Sequence, residues 1–273
     1  MRAGIDFGLT ITDAVTLDGT ALTGHVALAR PGPASTRVLR QALDALGIAV
    51  DALAAVSVTG GRSRELPGTV DGVAVEIVDE PTAIGRGALA LAGLDAALVV
   101  SCGTGTAMVR ADARARAYAH VSGTPMGGGT LEGLGLRLLG VHEVTELDAM
   151  AARGDASAVD TTLGDVLGGG VGKLPPTATA VNLGRLASLD ADPAPEDLAA
   201  GLVTMVAQAI GLLALNAARA EGLPAVVCVG RLAEMASVRS MIEAVFRVYG
   251  APPPSFPEGA AYAMAYGAAL AKR

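Results

Sequence analysis

Leu98-Val99-Val100-Ser101-Cys102-Gly103-Thr104-Gly105-Thr106 is the stretch whose reading decides the fold. An apolar run to Ser101 reads as a buried strand, and Cys102 to Thr106 reads as a tight turn into further strands at Ala107–Ala111 and Ala117–Val121. The chain opens on the same design. Residues 2–7 and 11–18 read as strands joined by Phe7-Gly8-Leu9-Thr10, and a third strand follows near Leu22–Leu28 after the turn Asp18-Gly19. A strand, a Gly/Thr turn and a meander occurring twice point to a duplicated domain with a cleft between the copies.

Working outward, Ser35 or Thr36 caps a helix through Leu46, and Leu53–Thr59 reads as a strand stopped by Gly60-Gly61. Val73–Val78 leads into Asp79-Glu80-Pro81, where Pro81 suits the first turn of a helix to Leu91. Alternation of strands and helices favours an α/β fold with mixed sheets. Beyond residue 125 the pattern is mainly helical: from Gly127, then 144–153, 160–167, 180–186 and about 197–221. A strand at 225–229, a helix over 231–249 and a terminal helix from Gly259 to Lys272 complete the reading. The expected division is a first domain over 1–95 and a second over 96–273.

The chain has 273 residues, 51% of them hydrophobic and 17% charged, so it is long enough for a buried core. Its unbroken apolar runs, such as 98–100 and 226–229, are shorter than a bilayer span. The N-terminus has no basic segment followed by an apolar one, which gives a cytoplasmic expectation. A net charge of -7 and no basic cluster argue against nucleic acid as a partner. Cys102 and Cys228 are the only cysteines, each in an apolar stretch, and read as reduced buried thiols.

The glycine turns carry the chemistry. A Gly-tipped turn presents successive N–H groups to phosphate oxygens, and a Thr adds a hydroxyl. Gly8, Leu9 and Thr10 form the first such turn, and Gly103, Thr104, Gly105 and Thr106 the second. Gly127, Gly128, Gly129 and Thr130 add a third set of candidate donors at a helix start. Asp6, ending the first strand, suits Mg²⁺ rather than phosphate. Glu80 reads first as a first-turn carboxylate favouring the helix dipole, with Asp79 its equal neighbour; a general base is the second reading of either. Asp13 reads as the polar face of the second strand.

Three motifs in order then carry a resemblance: Gly4-Ile5-Asp6-Phe7-Gly8-x-Thr10, Cys102-Gly103-Thr104-Gly105-Thr106 and Gly127-Gly128-Gly129-Thr130-Leu131-x-Gly133-Leu134-Gly135. Together they are similar to those of the type II pantothenate kinases. The likeness continues through Leu147-Asp148-Ala149-Met150-Ala151, Ala180-Val181-Asn182-Leu183-Gly184 and Glu258-Gly259-Ala260. It implies two ribonuclease-H-like domains of the actin, sugar-kinase and heat-shock ATPase superfamily, a homodimer, and ATP with Mg²⁺ in the cleft. Carried over by residue, it places nucleotide contacts on the three loops and Gly230, metal on Asp6, and the general base on Glu80, through Glu80-x-x-Ala83-x-x-x-Gly87. It places substrate contacts at His120, Gly123 and Thr124.

The resemblance departs in two places. Leu9 stands where the first loop has a small residue, and His120-Val121-Ser122-Gly123 stands where the family has Arg-Val-Gly-Gly. His120 is shorter than Arg and charged only part of the time near pH 7. The expected function is phosphorylation of pantothenate or a pantothenate-like alcohol, the first step of coenzyme A synthesis. Two alternatives stand: a kinase of the same fold for another small alcohol, and a nucleotide-binding pseudokinase or reactivating ATPase.

Overall fold

The computed structural model describes residues 1–270, and most of its strands fall into two large sheets. The first half contains β1 (Arg2–Phe7), β2 (Ile11–Asp18), β3 (Ala21–Ala29), α1 (Thr36–Ala45), β4 (Val56–Gly60), β5 (Thr69–Val70), β6 (Val73–Ile77) and α2 (Glu80–Ala92). Its sheet runs β3-β2-β1-β4-β6-β5, with β1, β4 and β6 parallel and the opening meander antiparallel. The amphipathic α1, capped by Ser35 and burying Val38, Leu39, Ala42 and Leu43, closes one core over Ile5, Val56 and Val58.

The second half contains β7 (Ala96–Cys102), β8 (Thr106–Asp112), β9 (Ala117–Thr124), α3 (Gly128–Leu139) and α4 (Val144–Ala151). Then come β10 (Thr161–Thr162), α5 (Leu163–Leu167), β11 (Thr179–Val181), α6 (Pro195–Ala220), β12 (Val226–Val229), α7 (Ala236–Val248) and α8 (Ala263–Ala269). Its sheet is β12-β7-β8-β9, with β12 parallel to β7. A fifth position is filled by one residue: Ser255 bridges Val227, donating its N–H to Val226 O and accepting from Cys228 N–H, both at 2.8 Å. Both halves therefore repeat one order, an antiparallel meander flanked by parallel strands, which is the duplicated ribonuclease-H-like architecture expected.

Three local expectations are corrected. The helix expected over 160–167 is confined to the five-residue α5 after β10, and the one expected over 180–186 shrinks to a short 3-10 turn at Gly184–Ala187 after β11, which pairs antiparallel with β10 in a small ribbon. β-branched Thr161, Thr162 and Thr179 favour strand there, and buried Asp160 ties the ribbon by accepting from Thr179 Oγ1 and Leu183 N–H, both at 2.7 Å. The expected helix over 231–249 breaks at Met235, whose extended backbone separates a short turn from α7. Asp148 on α4 caps the second piece by accepting from Ala236 and Ser237 N–H, both at 3.1 Å. The strand expected from Leu53 starts at Val56, after a one-turn helix at Val50–Ala52. The last turn expected through Lys272 lies outside the described residues.

α6 has 26 residues and a mean hydropathy of 2.1 over its most apolar window, long and apolar enough to cross a membrane. Here it runs through the second lobe's core with 67% of that window buried against β7, α4 and α7. Its apolar girdle thus serves packing on several sides at once.

The two sheets lie on either side of residues 95–96, but two helices join them. α2 packs against β7, β8 and β9, while α8 returns to β1, β2 and β4. α2 and α8 touch at backbone distance: a methyl on Gly87 would come within 1.8 Å of Ala263 O, and one on Gly267 within 1.9 Å of Ala83 O. Ala83 and Gly87 in the sequence pattern starting at Glu80 are thus the small residues that let the helices cross.

Candidate active site

β1 and β7 end in equivalent turns that meet between the lobes. Thr10 Oγ1 and Thr104 Oγ1 are 3.2 Å apart. They border a cleft of about 590 Å³, lined also by Leu9, Arg30, Thr130 and Glu132. Among the described residues, no backbone acceptor takes the N–H of Leu9, Thr10, Thr104 or Gly105. Four donors on the cleft wall therefore remain for an anion. Leu9 is 88% exposed, so its side chain leaves the turn while its amide stays in the wall.

The third loop differs from the expectation. Gly128 N–H donates to Gly103 O at 2.8 Å, Gly129 N–H to Thr104 O at 2.9 Å, Gly127 N–H to Thr130 Oγ1 at 3.2 Å, and Thr130 N–H to Gly127 O at 3.1 Å. All four amides are engaged inside the protein. The loop is a buttress: a methyl on Gly127 would meet Thr104 O at 2.6 Å, and one on Gly129 would meet Thr104 Cγ2 at 2.7 Å. Gly230 behaves likewise, with φ of 90°, its N–H given to Ala260 O at 2.7 Å and its α-carbon packed on the Cys102 backbone. These glycines shape the second turn, and their bonded amides are not donors to the cleft.

Beneath the first turn lies a polar row. Asp6 on β1 is paired in register with Asp13 on β2 and Thr59 on β4, which puts all three on one face of the sheet. Asp6 is 4% exposed and Asp13 8%. Burial chiefly, then the charges of Asp13 and Glu80, lift the Asp6 carboxyl to about 7, against a smaller lowering by Arg231. Burial lifts Asp13 to about 6 although Arg231 pairs with it. Thr59 Oγ1 is buried with no hydrogen-bond partner. A buried carboxylate pair that one guanidinium only partly offsets, beside an orphaned hydroxyl, fits a hydrated cation. No group of three or more His, Cys, Asp or Glu able to cage a metal occurs among the described residues, so such a cation would depend on water and ligand oxygens. Gly60, with φ of 86°, makes room, since a methyl there would lie 2.5 Å from Asp6 Oδ1.

Asp79 and Glu80 separate cleanly. Asp79 is the N-cap of α2, accepting from Thr82 N–H at 3.1 Å. Glu80 makes no hydrogen bond or ion pair with a described residue, is exposed, and lies close enough to Asp6 to raise its pKa. His120, Gly123 and Thr124 lie on β9, away from the lining of the 590 Å³ cleft. By strand alternation His120 shares the face of Tyr118, which packs on Gly85 of α2. Thr124 Oγ1 accepts from Met126 N–H at 3.2 Å.

Asp13, Thr59 and Arg231 join the site without having been singled out in that role. Asp13 had a signal: it pairs with Asp6 across the hairpin turn, so counting register from the turn places it opposite. Arg231 had none, because its 218-residue separation from Asp13 is closed only by the folded lobes.

The two sheets and the cleft between them define the two-lobed actin-like fold. The chain belongs to the Fumble family, whose model matches residues 96–270; this is the type II pantothenate kinase family. It is similar to a type II pantothenate kinase of Oceanobacillus iheyensis, 32% identical over 183 residues that cover 65% of this chain and 66% of that protein. Pantothenate kinase 1 of Arabidopsis thaliana is 37% identical over 131 residues, 45% of this chain and 33% of that one. The matches thus span less than two thirds of these relatives' length. Among solved structures, the activator of the 2-hydroxyisocaproyl-CoA dehydratase from Clostridium difficile with bound ADPNP has a TM-score of 0.69 at 19% identity, covering 98% of this chain and 92% of that one. That likeness concerns the fold.

Proposed function

We propose that this protein is an ATP- and Mg²⁺-dependent kinase that phosphorylates the primary hydroxyl of pantothenate or a pantothenate-like alcohol, at the entry to coenzyme A synthesis. The observation that carries the reading is the meeting of the Thr10 and Thr104 turns, with free amides in the cleft wall, beside Asp6 and an unpaired Glu80. Leu9, Thr10, Thr104 and Gly105 hold phosphate oxygens through their N–H groups. Glu80 accepts the proton of the attacking hydroxyl, and Asp79 keeps the start of its helix fixed. Asp6, with Asp13 and Thr59, holds Mg²⁺, which when bound offsets phosphate charge. Arg231 limits repulsion inside that row. A panel of small alcohols with ATP and Mg²⁺, read by ADP release, tests the proposal: turnover with pantothenate or a close analogue is expected, and ADP release independent of any alcohol would overturn it in favour of an ATPase.

His120 supports a second reading, a changed or broadened alcohol. It stands on the face of β9 that packs under α2, near the helix that begins at Glu80, in the place of the family Arg. His120→Arg that loses turnover with the native alcohol and gains it with pantothenate would mark this position as the one that selects the alcohol.

The protein is further proposed to be a cytoplasmic homodimer. Free, buried Cys102 and Cys228 suit a reducing compartment. Val166, Leu167, Val171, Val181, Leu186 and Leu189 are exposed around the β10–β11 ribbon, an apolar surface that a second copy would cover. Light scattering at micromolar concentration should give a dimer that Leu167→Asp with Val181→Asp dissociates; a wild-type monomer would remove this part.

A further inference from the structure

We propose that Arg30 is a ligand of the nucleotide's terminal phosphates and that Glu132 holds its guanidinium until a phosphate displaces it. The inference rests on the nucleotide reading of the cleft. Arg30 follows β3 with a left-handed φ of 49°, unusual for a non-glycine residue and more so ahead of Pro31. It is held there by its own N–H, which donates to Thr10 O at 2.7 Å. Arg30 is therefore fastened to the first phosphate turn. Its side chain crosses the cleft to pair with Glu132 on α3, two residues after Thr130, and both residues line the cleft.

Among the described lining residues Arg30 is the one cation and Glu132 the one carboxylate. A lone carboxylate beside phosphate-facing amides would repel the ligand, and Arg30 neutralises it. The pair is nevertheless weak, because the Arg30 side chain is 70% exposed and water screens it. A triphosphate offers the guanidinium more negative charge and a bidentate fit, so the exchange of partners is favourable. Glu132 then acts as a built-in competitor that lowers the affinity for phosphate. A simple latch between the lobes predicts something different: breaking it from either side would have the same effect.

The test is calorimetric titration of ATP, ADP and AMP, with Mg²⁺, into the full chain as wild type, Arg30→Ala, Arg30→Lys, Glu132→Gln and the double variant. Arg30→Ala should weaken ATP about 10- to 100-fold, ADP less and AMP hardly at all, since only the terminal phosphates lose a charged contact. Arg30→Lys should fall between. Glu132→Gln should tighten ATP several-fold, and it should also tighten ATP in the Arg30→Ala background, where Glu132 would otherwise stand as a lone carboxylate against the phosphates. If Arg30→Ala and Glu132→Gln shift ATP in the same direction, or if Arg30→Ala weakens AMP as much as ATP, the proposal is overturned. Wild type that binds none of the three nucleotides removes the nucleotide reading itself, whereas wild-type binding with silent variants removes only the role of Arg30.

Discussion

The two lobes repeat one turn and load it differently. In the first lobe the strand before the turn delivers Asp6, flanked in register by Asp13 and Thr59. At the matching place in the second lobe stands Ser101, flanked by Ala107 and Val229. Both turns offer free amides to the cleft, but only the first lobe adds buried charge. The second instead receives the buttress of Gly127–Thr130 and Gly230 behind its turn. Duplication thus supplied the backbone cradle twice, and the side chains then divided the work. One lobe places a buried carboxylate pair beneath its turn, and the other backs its turn with glycines whose amides are bonded inside the protein.

The largest expected effect breaks the charged side. Glu80→Gln should lower turnover about 10²- to 10⁴-fold while ATP affinity, measured by calorimetry, stays unchanged. Asp79→Asn should leave turnover within a small factor, because its side chain caps α2; the reverse pattern would exchange the two roles.

Equalising the lobes should be nearly as damaging. Ser101 is 4% exposed, so Ser101→Asp buries a second carboxylate without the cation that Asp13 finds in Arg231. We expect a loss of several kcal/mol in unfolding free energy by urea titration at pH 8, and much less at pH 4, where the new group is protonated. Ser101→Ala should be mild. A stable Ser101→Asp protein at pH 8 would show that the second row tolerates charge and that the contrast between lobes is incidental.

The charged row also sets a pH dependence in the protein without nucleotide. Asp6 and Asp13 have folded pKa values of about 7 and about 6, above the ordinary 3.8. The folded state therefore holds protons that the unfolded chain has released. Stability is highest below pH 4 as far as these groups are concerned, and it declines as pH rises to about 7. Asp6→Asn should flatten that decline, raise the melting temperature at pH 8, and abolish the extra stabilisation that Mg²⁺ with nucleotide gives to wild type. A wild-type melting temperature that climbs between pH 4 and 7, with no change in slope for Asp6→Asn, would contradict the repulsive row.

The smallest effect sharpens the placement of the base. Asp79→Ala should cost about 1 kcal/mol of stability by urea titration through the lost N-cap. A larger loss accompanied by a collapse of turnover would mean that Asp79 does more than hold the helix.

Several features were determined by the sequence alone. Strand, Gly/Thr turn and meander recur because a half-buried strand needs alternation and a tight turn needs glycine, and both rules are local. The register that brings Asp13 opposite Asp6 was also within reach, since a hairpin fixes its partners by turn length. Helix-start chemistry did not separate Asp79 from Glu80, and only the family resemblance chose Glu80 as base; a hydrogen bond accepted from Thr82 N–H assigned the cap to Asp79. Gly127–Thr130 read as a donor loop, because sequence shows which amides exist and not which are already bonded. The acceptors of Gly128 and Gly129, Gly103 O and Thr104 O, arrive from a turn more than twenty residues earlier. Arg231 beside Asp13 and Arg30 across from Glu132 belong wholly to the tertiary structure. Charges far apart in the chain have no local pattern to announce them, and only the closing of the two lobes sets which carboxylate each guanidinium meets.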